Sequence, residues 1–148
     1  MGADNQQVTE ETMLSAEYVC GFVDGEGCFY ILNSKRVACE FQVSQKDRTV
    51  LDEMRETFGC GYVKPKYDKA GTYVYLVKSV RDLAEKVVPF FRDHPLRVKR
   101  GQFQRFAQAV EIQRSKAHLT VEGRRKIAEL KSGTSETIRQ APMPQEVG

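Results

Sequence analysis

The sequence predicts an α+β fold: an αββαββα core, with a four-stranded antiparallel sheet and extra C-terminal helices. Three observations predict it. Val37–Gln45 alternates strictly, with Val37, Cys39, Phe41 and Val43 on one face and Ala38, Glu40, Gln42 and Ser44 on the other, as a sheet with one open side requires. Two hairpin-like pairs of strand signals occur, each followed by an apolar stripe at helical spacing. The chain has 148 residues, of which 41% are hydrophobic, enough for one compact core. Residues 1–139 read as a single domain and 140–148, with two prolines and no stripe, as a disordered tail.

The first helix begins at Ser15, an N-cap, with Glu17 in the first turn, where the macrodipole favours an anion. Tyr18, Val19, Phe22 and Val23 form its stripe. Its far end breaks local rules. Gly21 and Gly25 lie on one face, each costing about 1 kcal/mol against alanine. Asp24 and Glu26 occupy the last turn, where the dipole repels anions. Two readings follow from these residues alone. A divalent cation could stabilise the two carboxylates while the glycine face admits another backbone. Alternatively the helix ends on a Gly27 cap, with both acids solvated.

Cys28–Leu32 and Val37–Gln45 read as strands joined by the polar turn Asn33-Ser34-Lys35-Arg36. Asp47 caps a helix through Phe58, with Val50, Leu51, Met54 and Phe58 inward and Gly59 ending it. Tyr62–Lys66 and Thr72–Lys78 form the second hairpin, with Lys64 and Lys66 on one side. Ser79 starts the next helix, Asp82 completing a capping-box pattern, with Val80, Leu83, Val87, Val88 and Phe91 as its stripe. Arg92–Pro95 punctuates, and Leu96–Arg100 is basic. Gln102–Arg114 is a helix with Phe103, Phe106, Ala107 and Val110 inward. Thr120 caps a shorter one with Ile127 and Leu130. Near it Arg124, Arg125, Lys126 and Lys131 form either a solvated face or a clamp for phosphates outside a binding site.

Charge is unevenly distributed. Residues 1–27 hold six acids and no Lys or Arg, so 28–148 hold all 23 basic residues against 14 of the 20 acids, a net of +9. A basic body on an acidic helix suits a phosphate-backbone binder with a metal site, and a solvated surface is the plain alternative. The four cysteines, at 20, 28, 39 and 60, make no C-x-x-C pair and read as reduced thiols, so a zinc ribbon is unsupported. Two histidines are too few for a histidine-built metal site. No P-loop or dinucleotide fingerprint occurs, so no organic cofactor is expected. No run approaches the roughly 18 apolar residues of a membrane span, and none resembles a secretory signal.

Val19 to Gly27, VCGFVDGEG, resembles position by position the motif of the LAGLIDADG homing endonucleases, with Glu26 in place of the second acid. Phe41–Asp47, Gly59–Val63, Leu96–Lys99 and Thr134–Arg139 are similar, in the same order, to segments of the single-motif, homodimeric members. The resemblance implies a saddle-shaped sheet whose open side straddles double-stranded DNA. It implies a homodimeric, site-specific, Mg²⁺-dependent DNA endonuclease, intron-encoded, cutting a long pseudo-palindromic target across the minor groove with short 3′ overhangs. Ca²⁺ or Mn²⁺ could occupy the same site. Carried over by position, Glu26 binds metal with help from the Gly25 carbonyl, Asp24 has a supporting role, and Lys99, Gln45 and Arg48 serve the phosphate and the metal-activated water. No histidine is available as general base, so such a water is the economical nucleophile. Strand alternation together with the resemblance assigns DNA contacts to Tyr30, Leu32, Ser34, Arg36, Ala38, Glu40, Gln42, Lys64 and Lys66.

No second acidic-glycine helix occurs, so cutting two strands requires two chains meeting at Gly21 and Gly25. A strand of ~8 residues spans about 26 Å, or roughly eight base pairs per half-site. An intron RNA maturase and a non-cleaving DNA-binding regulator are the alternatives on this scaffold. The expected location is a reducing compartment: bacterial or archaeal cytoplasm, or an organelle matrix.

Overall fold

A computed structural model describes residues 14–140, with side chains through residue 133. The elements run α1 (Ala16–Glu26), β1 (Gly27–Asn33), β2 (Val37–Gln45), α2 (Arg48–Phe58), β3 (Tyr62–Pro65) and β4 (Tyr73–Val77). A helical run, α3, then covers 80–93, followed by α4 (Arg100–Arg114), a 3₁₀ turn (Ala117–Leu119) and α5 (Val121–Gln140). The αββαββα order and the additional C-terminal helices are as the sequence predicts. The last helix is longer than the sequence suggested: it takes in Thr134–Arg139 and reaches Gln140. The rest of the expected tail lies outside the described residues.

Local signals place most boundaries. The Ser15 hydroxyl accepts from the Tyr18 amide, Asp47 from Thr49, Ser79 from Asp82, and Thr120 from Gly123. Gly59 ends α2 in the left-handed conformation, at φ 73°. In α3 a wide π-turn, Leu83–Val87, ends two residues before Pro89. Proline has no N–H to continue an α-helical ladder, and the widened turn accommodates that gap.

The sheet is antiparallel in the order β1-β2-β4-β3. Its inner face and the helices enclose a core rich in phenylalanine. Phe29 stacks on Phe41 at 5.2 Å between centroids, and Phe91, Phe103 and Phe106 pack around Phe29 at 5.8, 5.5 and 5.0 Å. Val19 and Val23 of α1 are fully buried in the same core. That leaves Tyr18, Gly21 and Gly25 on the exposed side of the helix.

At the junction of α1 and β1, Gly27 takes an extended conformation, φ −86° and ψ 160°, and its N–H bonds to the Val23 carbonyl. It therefore needs no left-handed cap. A Cβ there would lie 2.7 Å from Val23 Cγ1 and 2.9 Å from the Val23 oxygen, so glycine is required by close approach. Gly27→Ala is expected to lower stability by about 1–3 kcal/mol, as overpacking does, read as a drop in the thermal unfolding midpoint.

Candidate functional site

The carboxylate of Asp24 answers the charge problem posed by α1. Its Oδ2 accepts from the Arg97 amide at 3.0 Å, and its Oδ1 from the Val98 and Lys99 amides at 3.1 Å each. Those amides lead into α4, whose own N-cap residue makes no side-chain capping bond. Asp24 thus ties down the segment that leads into a helix more than seventy residues away, and its charge sits near that helix's positive end. The exchange is reciprocal. Lys99 Nζ donates to the carbonyls of Val23, at 3.2 Å, and Asp24, at 2.8 Å. The cation missing from the last turn of α1 is supplied from α4. Asp24 is half-buried and tied to three backbone amides, an arrangement that neither initial reading of the first helix describes.

Glu26 differs. It is the exposed final residue of α1, and among the described residues its carboxylate has no hydrogen-bond or ion-pair partner. Gly25 beside it belongs to the last turn, where carbonyls lack intrahelical donors. Among the described residues no three His, Cys, Asp or Glu side chains come together as a metal cluster. One chain offers a carboxylate and a backbone carbonyl, both hard oxygen donors. That partial set fits Mg²⁺, which keeps several waters and binds one or two carboxylates plus substrate phosphates.

Gln45 and Arg48 lie at the same end of the sheet as Glu26. Gly27 pairs with Val43, two residues before Gln45. Gln45 Oε1 accepts from the Lys46 amide at 2.7 Å, which leaves its NH₂ to donate outward. The Arg48 guanidinium lies 5.5 Å from the ring centroid of Tyr73, the register partner of Gln45, and 3.4 Å from Asp52. Lys99 uses two of its three ammonium donors on α1 and retains one.

The open face of the sheet carries Tyr30 and Leu32 of β1, Ala38, Glu40 and Gln42 of β2, and Lys64 of β3. Ser34 and Arg36 occupy the β1–β2 turn, and Lys66 follows β3. Several of these side chains are already ordered by one another. Gln42 Nε2 donates to Glu40 Oε1 at 2.8 Å, Lys78 Nζ lies 3.9 Å from Glu40 Oε2, and Lys66 Nζ donates to Ser44 Oγ at 3.3 Å. A hydrogen bond to Cys28 is the first cause holding the Tyr30 hydroxyl above its ordinary pKa. Among the described residues Lys35, Arg36, Lys46 and Lys64 have no ion-pair partner.

Sequence reasoning missed part of this face. By register Cys28, Gln42, Leu76 and Tyr62 form one cross-strand row, and Ser44, Val74 and Lys64 another. Val74 and Leu76 are each only 3% exposed, although they face away from the core. They form an apolar floor between polar walls. The signal was the unbroken apolar run of β4, which marks a strand covered on both sides. Burial pushes the Cys39 thiol up to about 12 and is the main cause raising Cys20 and Cys60.

The chain is of the α+β class, with an acidic helix end beside the open face of a four-stranded antiparallel sheet. Residues 19–110 match the family described as LAGLIDADG endonuclease, and the chain belongs to that family. It is 29% identical over 119 residues to "Probable intron-encoded endonuclease 2" of Neurospora crassa, covering 78% of this chain and 26% of the relative. It thus spans about a quarter of that fungal relative. The solved structure of the homing endonuclease I-TnaI superposes with a TM-score of 0.74 at 33% identity, covering 86% of this chain and 98% of that one. The structure of I-SmaMI bound to an uncleaved DNA target in the presence of calcium ions superposes with a TM-score of 0.75 at 26% identity, covering 82% and 45%. Among the described residues no helix is long and apolar enough to cross a membrane.

The Asp24 geometry reverses a sign. Viewed as a lone anion at a helix C-terminus, Asp24 would be better replaced. As the acceptor for three amides, its replacement by alanine removes three charge-assisted hydrogen bonds at the surface, a net loss of about 1 kcal/mol or more. Asp24→Ala is therefore expected to lower the urea midpoint, and Asp24→Asn, which keeps one acceptor oxygen, to lower it less. A stabilised Asp24→Asn protein would contradict this role.

Proposed function

We propose that this chain is a homodimeric, Mg²⁺-dependent, site-specific endonuclease that cuts both strands of a long pseudo-palindromic DNA target. The observation that carries this reading is Glu26, an unpartnered carboxylate at the end of α1, set between an open cationic sheet face and an exposed glycine face. A Cβ added at Gly21 or Gly25 would meet no atom within 4 Å, so the single chain gives no steric reason for glycine at either position. Close approach by a second α1 supplies that reason, and a two-fold axis there brings two Glu26 carboxylates together. The chain matches nearly all of I-TnaI and under half of I-SmaMI, and in this reading a second copy supplies the second acidic helix end.

In this reading Glu26 and the Gly25 carbonyl would hold a divalent ion. When bound, such an ion lowers the pKa of water and neutralises developing phosphate charge. The remaining ammonium donor of Lys99 faces the phosphate, while the Gln45 amide orients water and Arg48 adds positive charge. β2, nine residues long, runs along the major groove, and its open face contacts base edges. Lys35 and Lys46, which have no ion-pair partner among the described residues, contact backbone phosphates. Intron-encoded relatives support a homing role in a reducing compartment, and the DNA-bound, calcium-containing neighbour supports the substrate and the class of ion.

Glu26→Gln keeps the shape and removes the charge. Cleavage with Mg²⁺ is expected to fall by orders of magnitude, while binding measured with Ca²⁺ stays equal or strengthens. Cutting at the wild-type rate would remove the proposed metal site. Gly21→Leu is expected to give a monomer in sedimentation that no longer makes double-strand breaks. For the wild type, log K against log salt is expected to fall with a slope of about −0.9 per phosphate contacted, and a flat response would exclude backbone-dominated binding.

A further inference from the structure

β2 pairs with β4 only over Phe41–Gln45. Residues 37–40 of β2 and their β1 partners, Tyr30, Ile31, Leu32 and Asn33, therefore form a two-stranded ribbon that overhangs the rest of the sheet. Such a ribbon is marginal by itself in water, so its direction depends on what holds its back. Ile31, Val37 and Cys39 anchor it to the core. Its turn is closed weakly, by a Ser34 N–H bond to the Arg36 carbonyl at 3.4 Å.

Two side chains from the C-terminal helices reach the backbone of this tip. Gln113 Nε2, on α4, donates to the Val37 carbonyl at 3.3 Å. The Arg124 guanidinium, on α5, donates to the Ser34 carbonyl. Both acceptors are main-chain atoms flanking the turn, so the bonds fix where the turn sits whatever its side chains contact. With Arg36, Ala38, Glu40 and Lys78, these two residues line a cleft of about 490 Å³ between the ribbon and the helices. The tip lies at the opposite end of β1 from Glu26. With two Glu26 residues at the dyad, it reaches the outer end of a half-site.

We infer that Arg124 and Gln113 are positioning residues that set base selectivity at the outer end of each half-site, by fixing the β1–β2 tip that carries Ser34 and Arg36. This rests on the reading of the chain as a DNA endonuclease. Arg124 acts inward, through a carbonyl of its own chain, and differs in that from a solvated or phosphate-facing cation. Its neighbour Arg125 is exposed and pairs with Glu122 at 3.2 Å, which makes it the natural control.

The test selects bound duplexes from a randomised DNA library, using full-length wild type, Arg124→Met, Gln113→Leu and Arg125→Met, with folding checked by thermal melts. Gln113→Leu makes the same test from another helix, and it also removes a buried amide oxygen that has no partner. Wild type is expected to select one site. Arg124→Met and Gln113→Leu are each expected to lose preference by about five- to tenfold at the outermost base pairs only. The inner base pairs, the salt slope and the cutting rate on the wild-type site stay unchanged, as does everything in Arg125→Met. Uniform weakening of Arg124→Met with a salt slope reduced by about 0.9 would make Arg124 a phosphate contact and overturn the inference. Unchanged preference in both variants overturns it equally. A wild type that selects no sequence overturns the endonuclease reading itself, an outcome visible before any variant is compared.

Discussion

The structure depends on an exchange of charge between two helix ends. α1 ends with an anion and free carbonyls, and α4 begins with free amides and a cation. Each end carries what the other lacks. Asp24 accepts the three amides leading into α4, and Lys99 covers two of the last carbonyls of α1. Every bond in the set has an ionised partner, the stronger class of hydrogen bond. The exchange fixes the position and direction of α1, and with them Glu26, the next residue but one. Asp24 is committed to backbone amides, while Glu26, beyond Gly25, has no protein partner among the described residues.

The sheet divides its labour by face. The inner face is closed by phenylalanines, whose edge and stacked contacts leave little freedom for the strands to shift. A rigid back permits an open front: polar side chains on β2 are ordered by one another through Glu40, Gln42 and Lys78. The apolar floor of Val74 and Leu76 gives those side chains something to lie against. Only the overhanging β1–β2 ribbon lacks full sheet support, and there helices contribute hydrogen bonds from behind.

Much of this was legible in the residues. The N-caps Ser15, Asp47 and Ser79, the alternation of β2 and the inward stripes of α2, α3 and α4 all follow local rules. A cap reads its own first turn, and a strand reads its own pleat. The candidate base-contacting residues on β1, β2 and β3 fell on the open face for the same reason, since an alternating pattern allows no other register without burying charge. The role of Gly27 was not legible, because its glycine is required by the contact of an added Cβ with Val23 and not by backbone dihedral angles.

By itself, then, the sequence determined the order of elements and the buried face of each, because these depend on neighbours within a few positions. The tertiary structure decided the strand order β1-β2-β4-β3, the two-sided burial of β4, and above all the fate of Asp24. That carboxylate looked misplaced because its partners lie 73 to 75 positions further along the chain. No periodicity reports on such a distance. Only the folded chain brings the positive end of α4 to the negative end of α1, and turns a locally unfavourable anion into a structural requirement.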